Sequence, residues 1–444
     1  MQTELPFQAD DDNSGKSAAT GSNSASKVLL ASLIGTAIEY FDFYIYATAA
    51  VLVFPGLFFP SSDPTAATLQ SLATFGIAFL ARPVGSAVFG HFGDRIGRKT
   101  SLVASLLTMG ISTVAIGLLP TYAAIGTLAP LLLALCRFGQ GLGLGGEWGG
   151  AVLLATENAP EGKRAWFGMF PQLGAPIGFF ASGSLFLLLS EVLTEAQFIS
   201  YGWRIPFLAS ALLVIIGLYV RLNISETPEF QKVLEKDTRV KAPIVSVLLT
   251  HGRTLAIGTV IAVSTYVLFY LMTVFALSWG TTALGYTRRE FLLLQLIAVI
   301  FLGLTIPVSA LLADRYGRRY ALMGASIAVA CFGLVMAPMF ESGNVMWVLL
   351  FLSTGLGLMG FTYGPLGTML SELFPAEVRY TGSSLTFNLG GILGASVAPY
   401  IATALAKSYG LQFVGYYLSA AALLSLVGLL FAGKLSQKTV AAAI

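Results

Sequence analysis

The chain has 444 residues, of which 56% are hydrophobic and only 11% are charged. Soluble domains usually carry about 25% charged residues, so this composition excludes a water-exposed globule. The formal net charge is +3 and the basic residues lie near predicted helix ends, so nucleic acid is not an expected partner. Cys136 and Cys331 both lie in apolar segments, a placement that predicts neither a disulfide nor a metal site.

The apolar residues form twelve blocks, each close to the roughly 20 residues that a helix needs to cross a bilayer. Residues 1–26 precede them and are polar, so we predict a disordered cytoplasmic tail. This tail lacks the basic-then-apolar order of a cleavable signal peptide. The predicted helices are 28–54, 67–92, 100–120, 130–155, 165–190, 204–222, 252–278, 290–313, 320–340, 345–370, 380–405 and 411–432.

The distribution of Lys and Arg predicts the orientation. With both termini in the cytoplasm, most of the 25 basic residues lie in cytoplasmic loops, as the positive-inside rule requires. Residues 223–250 are the longest polar stretch after the tail and contain four Lys or Arg residues. We interpret them as a cytoplasmic linker between two six-helix bundles, 27–222 and 251–433, with 434–444 as a short cytoplasmic tail.

Two loop sequences recur at corresponding places in the two halves. The second predicted helix is followed by Gly90-His-Phe-Gly-Asp94-Arg95-Ile-Gly97-Arg98, and the eighth by Ala313-Asp314-Arg315-Tyr-Gly317-Arg318. The fourth helix is followed by Glu157, Pro160 and Arg164, and the tenth by Glu372, Pro375 and Arg379 with the same spacing. The repeat predicts an all-α membrane protein of twelve transmembrane helices in two pseudo-symmetric six-helix bundles.

These residues also carry a family resemblance. The Asp94 loop and its weaker copy at Asp314 resemble the loop signature of the major facilitator superfamily. Arg137-Phe-Gly-Gln140-Gly141 resembles the fourth-helix signature of its proton-coupled members. A narrower resemblance to the metabolite:proton symporters, which include shikimate, α-ketoglutarate and proline/betaine carriers, lies in Gly35-Thr-Ala-Ile-Glu39-Tyr-Phe-Asp42-Phe43-Tyr44, Ala81-Arg82-Pro83, Gly145-Gly146-Glu147-Trp148-Gly149-Gly150 and Gly202-Trp203-Arg204-Ile-Pro206-Phe207.

The resemblance implies that the repeated loops are gates. An Asp at a helix end can cap the N-terminus of a neighbouring helix and pair with a nearby Arg, which would hold one access state closed. The alternative is that these charges only set the topology. The gating residues implied are Asp94, Arg95, Arg98, Glu157 and Arg164 in the first half, and Asp314, Arg315, Arg318, Glu372 and Arg379 in the second.

Five ionisable residues lie well inside the predicted helices, all of them in the first half: Glu39, Asp42, Arg82, Arg137 and Glu147. A charge at the bilayer centre costs about 2.5–3.5 kcal/mol on insertion scales. Such residues are therefore expected to face the interior of the bundle, where they pair or line water.

Glu39 and Asp42 are three residues apart and project from one helical face. Two carboxylates this close in a low dielectric resist being ionised together, a property that a proton carrier needs. We therefore predict proton coupling by Glu39, Asp42, Arg137 and Glu147. The alternatives are a permanent pair of one carboxylate with Arg82 or Arg137, and a pair of Glu147 with Arg82.

A buried guanidinium can hold a substrate carboxylate by two parallel hydrogen bonds, which makes Arg137 and Arg82 candidate substrate ligands. Packing of helices is the alternative role for Arg137, and gating for Arg82. Aromatic side chains can cage a quaternary ammonium or stack on a ring, and the second half offers neutral polar groups. The remaining candidate substrate ligands are Tyr40, Tyr44, Gln140, Tyr266, Tyr270, Gln295, Tyr363 and Asn388.

Together these features predict a monomeric secondary transporter of the inner membrane. It would take up a small polar metabolite, an organic acid, with protons, and the proton gradient rather than a cofactor would drive it. One alternative is a proline/betaine-type osmolyte symporter, although little sequence follows Lys434. Another is a transport-inactive nutrient sensor. An enzyme is not expected, because no nucleophile or metal constellation is found.

Overall fold

The computed structural model describes residues 25–61, 64–223, 231 and 242–441. The predicted tail before residue 25, the end of the C-terminal tail at 442–444 and most of the predicted linker, with Lys232, Lys236, Arg239 and Lys241, lie outside the described residues. Within the described part the chain is helical and contains no strand. The predicted all-α membrane fold is confirmed.

Twelve of the described helices are long and apolar enough to cross a membrane. We label them α1 to α12 in chain order. They are Ser26–Leu52, Ala73–Ile96, Arg98–Leu118, Leu128–Glu157, Arg164–Val192, Arg204–Leu222, Gly252–Thr282, Arg289–Tyr316, Arg318–Glu341, Val345–Glu372, Ala376–Tyr409 and Leu411–Gly433. Short helices at Phe54–Phe58, Tyr122–Ile125, Glu195–Gln197 and Pro243–Thr250 lie between them.

The two halves repeat the same packing. In the first half α1 packs on α5, α2 on α4, and α3 on both α4 and α6. In the second half the equivalent pairs are α7 with α11, α8 with α10, and α9 with both α10 and α12. The halves meet along α2 with α11 and along α5 with α8. These two seams are equivalent under exchange of the halves, as a duplicated bundle requires.

The repeated loops share a backbone conformation as well as a sequence. Gly97 separates α2 from α3 with φ of 124°, and Gly317 separates α8 from α9 with φ of 93°. Positive φ is open to glycine at little steric cost because glycine has no Cβ atom. The chain can therefore end one helix and start the next within a single residue. Asp94 and Asp314 thereby come to the same end of the molecule, which we call the charged end; the other is the far end.

Candidate functional site

A small cavity of about 30 Å³ lies between the two halves, at mid-depth of the membrane helices. This is room for about two water molecules, so a metabolite would enter this space only when the halves move apart. The wall is mostly aromatic and carries a few hydroxyl groups, and Arg82 is its only charged side chain among the described residues. The lining residues are Tyr40, Phe43, Tyr44, Arg82, Ala175, Thr265, Tyr266, Phe269, Tyr270, Met359, Tyr363 and Phe387.

Arg82 is 5% exposed and is held by aromatic rings rather than by a carboxylate. Its Cζ atom lies 4.7 Å from the ring centre of Phe43 and 5.0 Å from that of Phe79. It forms no ion pair with any described residue, and its buried Nε atom has no hydrogen-bond partner there. A guanidinium stabilised in this way keeps donors that an anion in the cavity can accept from.

Hydroxyl groups from both halves face the same space. Tyr40 of α1 and Tyr363 of α10 form a hydrogen bond across the cavity through their hydroxyl groups. The buried hydroxyl of Tyr266 on α7 has no hydrogen-bond partner in the described part of the chain. A buried polar group without a partner is costly, so this hydroxyl is suited to bind a polar atom of a ligand.

Aromatic contacts between the halves border the cavity on both sides. Towards the far end, the rings of Phe79 and Tyr270 are 5.7 Å apart and those of Tyr44 and Phe269 are 5.9 Å apart. Towards the charged end, the Trp148 ring stacks on that of Phe387 of α11, with the ring centres 3.5 Å apart and an angle of 4° between the ring planes. A ligand of the cavity is therefore separated from both ends by aromatic side chains.

The Trp148 ring is fixed by a hydrogen-bond chain. Its Nε1 atom donates to Oε1 of Gln172 at 2.8 Å, and Nε2 of Gln172 donates to the carbonyl oxygen of Tyr363 at 2.9 Å. Trp148, Gln172 and Phe387 are not among the site residues predicted from the sequence. The available signals were the Gly-rich segment around Trp148 and the prolines that flank Gln172 on α5.

Glu39 and Asp42 have different neighbours although they share helix α1. Glu39 is 3% exposed, Arg82 and Arg221 are the cations beside it, and its Oε2 atom has no hydrogen-bond partner among the described residues. Asp42 is 1% exposed and lies beside the hydroxyls of Thr113 on α3 and Ser210 on α6. Neither carboxylate forms an ion pair with a described residue.

Polar side chains lie between Asp42 and Arg137, although neither carboxylate oxygen of Asp42 has a hydrogen-bond partner among the described residues. Nε2 of Gln140 donates to Oγ1 of Thr113 at 2.8 Å, and Nη1 of Arg137 donates to Oε1 of Gln140 at 2.9 Å. Arg137 is fully buried, with its Cζ atom 4.0 Å from the ring centre of Tyr46. The permanent pairing of Glu39 or Asp42 with Arg137, which the sequence left open, is therefore absent from this structure.

The alternative that Glu147 pairs with Arg82 is wrong in this structure. Glu147 is paired with Arg221 of α6, whose Nη1 atom donates to Oε2 at 2.8 Å and whose Nη2 atom donates to Oε1. The reason is that the last turn of α6 carries Arg221 into the bundle, where it is 4% exposed. Arg221 is not among the buried charges predicted from the sequence, although its position inside the predicted helix 204–222 was a signal.

The predicted substrate ligands divide into two groups. Arg82, Tyr40, Tyr44, Tyr266, Tyr270 and Tyr363 line the cavity, whereas Arg137, Gln140, Gln295 and Asn388 do not. Gln295 donates to the carbonyl oxygens of Met272 and Thr273, in a π-helical turn of α7. Asn388 donates to Oγ of Ser86 at 2.7 Å and so joins α11 to α2.

Comparisons with known proteins agree with this architecture. The family model described as Major Facilitator Superfamily matches residues 32–399. The chain belongs to the major facilitator superfamily. The resemblance predicted from the motifs is confirmed.

Curated relatives are transporters of metabolites. An inner membrane metabolite transport protein, YhjE, of Escherichia coli (strain K12) is 62% identical over 92% of this chain and 94% of its own. The shikimate transporter of the same strain is 36% identical over 90% and 93%. The proline/betaine transporter of Salmonella typhimurium is 35% identical over 90% and 82%. Transport of a small molecule across the inner membrane, not catalysis, is thus the class of function.

A solved structure supports the fold independently. The proton:xylose symporter XylE, bound to 6-bromo-6-deoxy-D-glucose, has a TM-score of 0.73, with 92% of this chain and 95% of that chain covered. Its sequence identity is 16%, so the similarity is one of fold.

The two loop signatures of this major facilitator protein contact the opposite half in the same way. The Asp94 carboxylate accepts hydrogen bonds from the backbone N–H groups of Tyr380 and Thr381, at 3.3 and 3.0 Å, at the start of an α11 segment. The Asp314 carboxylate accepts from the N–H groups of Ala165 and Trp166 at 2.9 and 2.8 Å, at the start of α5. Each aspartate therefore caps a helix N-terminus of the other bundle.

Ion pairs extend both contacts at the charged end. Arg98 lies 3.6 Å from Asp94 and 3.4 Å from Glu157, and Arg379 of the other half is 3.6 Å from Glu157. In the second copy Arg318 lies 3.6 Å from Asp314 and 3.3 Å from Glu372. Arg164 lines a small polar cavity beside Glu157, Glu372 and Arg379, whereas Arg95 and Arg315 are exposed. The halves are thus joined at the charged end in this state.

Proposed function

We propose that this protein is a proton-coupled symporter that imports a small metabolite carrying a carboxylate, by alternating access, with both termini in the cytoplasm. The observation that carries the proposal is the cavity between the halves, with one unpaired guanidinium, Arg82, on a wall of aromatic rings and hydroxyls. Arg82 would hold the carboxylate by two parallel hydrogen bonds. The tyrosine hydroxyls would bind the remaining polar atoms.

Proton coupling follows from the balance of buried charge. Apart from the cluster of Asp94, Arg98 and Glu157 at the charged end, the buried charged side chains of the described residues are three carboxylates, Glu39, Asp42 and Glu147, and three guanidiniums, Arg82, Arg137 and Arg221. A substrate carboxylate adds one negative charge to this balanced set, and uncompensated charge is costly in a low dielectric. Uptake of one proton restores the balance. Glu39 is the carboxylate most affected, because a substrate bound to its neighbour Arg82 would weaken the attraction between Arg82 and Glu39.

Uptake into liposomes tests the proposal. The purified protein is reconstituted and a panel of labelled acids and betaines, including shikimate, 2-oxoglutarate and glycine betaine, is offered with an inward proton gradient. We expect accumulation of a carboxylate that collapses when a protonophore is added. Accumulation that is insensitive to the protonophore would contradict the proton coupling.

Variants of the two unpaired carboxylates are the sharper test. Glu39→Gln or Asp42→Asn is expected to abolish accumulation, since a neutral amide cannot bind and release the proton. Glu191→Gln is the matched control, because this glutamate is exposed and lies at the far end, 3.1 Å from Arg289. Gradient-driven accumulation by both the Glu39 and Asp42 variants would refute their coupling role.

Uptake of a betaine is the second candidate function. The rings of Tyr40 and Tyr44 stack at 5.8 Å on the wall that carries Arg82, and aromatic rings bind quaternary ammonium groups. Glycine betaine in the same panel separates this candidate from the first. If no compound of the panel is transported, the transport-inactive sensor remains as the competing interpretation.

A further inference from the structure

Arg221 and Glu147 form a buried ion pair that the charge balance alone does not explain. Besides Glu147, Nη1 of Arg221 donates to the carbonyl oxygen of Leu102 on α3 at 2.6 Å. Oε2 of Glu147 also accepts from Oγ of Ser105 at 3.3 Å. The pair is 4% and 0% exposed and thus out of contact with water. A buried pair carries a large desolvation cost, so its position needs a reason.

The pair lies against α1 at a glycine. A Cβ atom at Gly35 would collide with the Arg221 guanidinium and would touch Oε1 of Glu147. Glycine therefore gives the guanidinium room beside α1. Glu39 is four residues further along α1, one turn away on the same face. The guanidinium that holds Glu147 is thus also within electrostatic range of the unpaired carboxylate of Glu39.

We propose that Arg221 exchanges between Glu147 and Glu39 while a proton moves the other way. This inference rests on the proposed proton coupling, and it identifies Glu147 as the group that receives the proton from Glu39. In one state Glu39 carries the proton and Arg221 pairs with ionised Glu147. In the other, the O–H bond of Glu39 is broken, a new O–H bond forms on Glu147, and Arg221 pairs with ionised Glu39. One cation, one proton and two carboxyl groups give zero net charge in both states.

The direction of the exchange follows from the helix geometry. At about 1.5 Å per residue, Glu39 lies about 6 Å along α1 from Gly35, the glycine next to Glu147, on the side away from the charged end. Transfer from Glu39 to Glu147 therefore moves the proton towards the charged end, outside the central cavity. Glu147 is adjacent in sequence to Trp148, which closes the cavity on that side.

Besides Glu147, the described carboxylate near Glu39 is Asp42, three residues further along α1, which lies beside the hydroxyls of Thr113 and Ser210 and has no ion pair with Arg221. Arg82 on α2 faces Glu39 from the cavity side and stays charged. Tyrosine hydroxyls are neutral near pH 7. The titratable and charged groups that face the triad are Tyr40 on α1, Arg82 on α2, Glu147 on α4, Arg221 on α6, Tyr363 on α10 and Tyr380 on α11.

A paired substitution separates a relay from a merely structural ion pair. Glu147→Gln combined with Arg221→Gln removes both charges together and keeps hydrogen-bonding groups of similar size. Liposomes with this variant are tested for counterflow of labelled shikimate, 2-oxoglutarate or glycine betaine, which needs no net proton movement, and for gradient-driven accumulation. The exposed pair at the far end, Glu191→Gln with Arg289→Gln, receives the same chemical change as the control.

The relay predicts that the paired variant still folds and shows counterflow, but loses gradient-driven accumulation by about tenfold or more, which corresponds to about 1.4 kcal/mol. The single variant Arg221→Lys keeps a cation at this position, so it is expected to retain part of the accumulation, with a shifted pH profile. Accumulation by the paired variant equal to that of the wild type would overturn the relay. If the wild-type protein itself showed no proton-driven accumulation, the proposed function would fail instead.

A pH-jump experiment gives a readout that needs no substrate. On a solid-supported membrane, proton binding by the wild-type protein is expected to give a transient charge displacement, which Glu39→Gln removes. The paired variant is expected to show a displacement about tenfold slower, the effect of a barrier about 1.4 kcal/mol higher. A displacement with the wild-type rate in the paired variant would also overturn the relay.

Discussion

At the scale of single residues, the surroundings of each buried charge determine its chemistry. Glu39, Asp42 and Glu147 have carboxylates that are all at most 3% exposed. Glu147 is held by Arg221, whereas Glu39 and Asp42 form no ion pair with described residues. Among the three guanidiniums only Arg82 reaches the cavity wall, because aromatic rings and Gln140 surround Arg137 and Glu147 binds Arg221.

Arg82 gives the residue-scale prediction. Arg82→Lys keeps the charge but loses the planar pair of donors, so KM for a carboxylate substrate is expected to rise about tenfold, the equivalent of about 1.4 kcal/mol. Arg82→Met is expected to abolish uptake. Arg289→Lys at the exposed far end is the control, and the measurement is initial uptake rate against substrate concentration. An unchanged KM in both Arg82 variants would exclude Arg82 as the carboxylate ligand.

At the scale of helices, close approach is achieved by glycine in α4. A Cβ atom at Gly145 would overlap the backbone of Arg82 and approach that of Ser86 on α2. The absence of a side chain therefore places α4 directly on the helix that carries the cavity guanidinium. Small residues at membrane helix contacts act in this way. Packing of α2 on α4 is thus part of what positions Arg82.

Substitution of Gly145 is the prediction at this scale. Gly145→Ala is expected to push α4 from α2, at an overpacking cost of about 1–3 kcal/mol. The yield of monodisperse protein and the apparent Tm in detergent should both fall. Gly324→Ala in α9 is the matched control, because nothing lies within 4 Å of its added Cβ atom. Equal Tm values for the two variants would show that the α2–α4 contact tolerates a methyl group.

A buried polar side chain can also stabilise an irregular helical turn instead of binding a ligand. The π-helical turn Leu271–Phe275 in α7 interrupts the regular hydrogen-bond ladder, and Gln295 of α8 supplies donors to two carbonyl oxygens there. Its polarity in an apolar helix suggested a substrate ligand from the sequence. The sequence alone did not reveal the π turn, and hence not the alternative partner of the glutamine.

At the scale of the whole molecule, the duplicated contacts of Asp94 and Asp314 join the halves. The carboxylate of Asp94 or Asp314 accepts hydrogen bonds from two backbone N–H groups. In Asp94→Asn or Asp314→Asn only one side-chain oxygen remains to accept them. Loss of one buried hydrogen bond costs about 1–3 kcal/mol. Because these contacts cross between the halves, each variant is expected to shift the population towards the state open at the charged end.

Cysteine accessibility measures this shift. In a background with Cys136 and Cys331 replaced, Thr265→Cys on the cavity wall should react faster with a membrane-impermeant maleimide added from the charged end when either aspartate is changed. Glu191→Gln at the far end serves as the control. Unchanged labelling in both aspartate variants would show that these caps do not hold the gate closed.

The sequence by itself determined that the protein lies in a membrane, how many membrane helices it has, that its halves are duplicated and to which family it belongs. These depend on composition, on periodic apolar length and on motifs that are local in the chain, such as Asp94 to Arg98. Only the tertiary structure decided which buried charges meet. Glu147 and Arg221 are 74 residues apart, and their contact depends on how α4, α6 and α1 pack. The cavity wall likewise combines side chains from both halves, so no local pattern could separate Tyr363, which lines it, from Asn388, which does not.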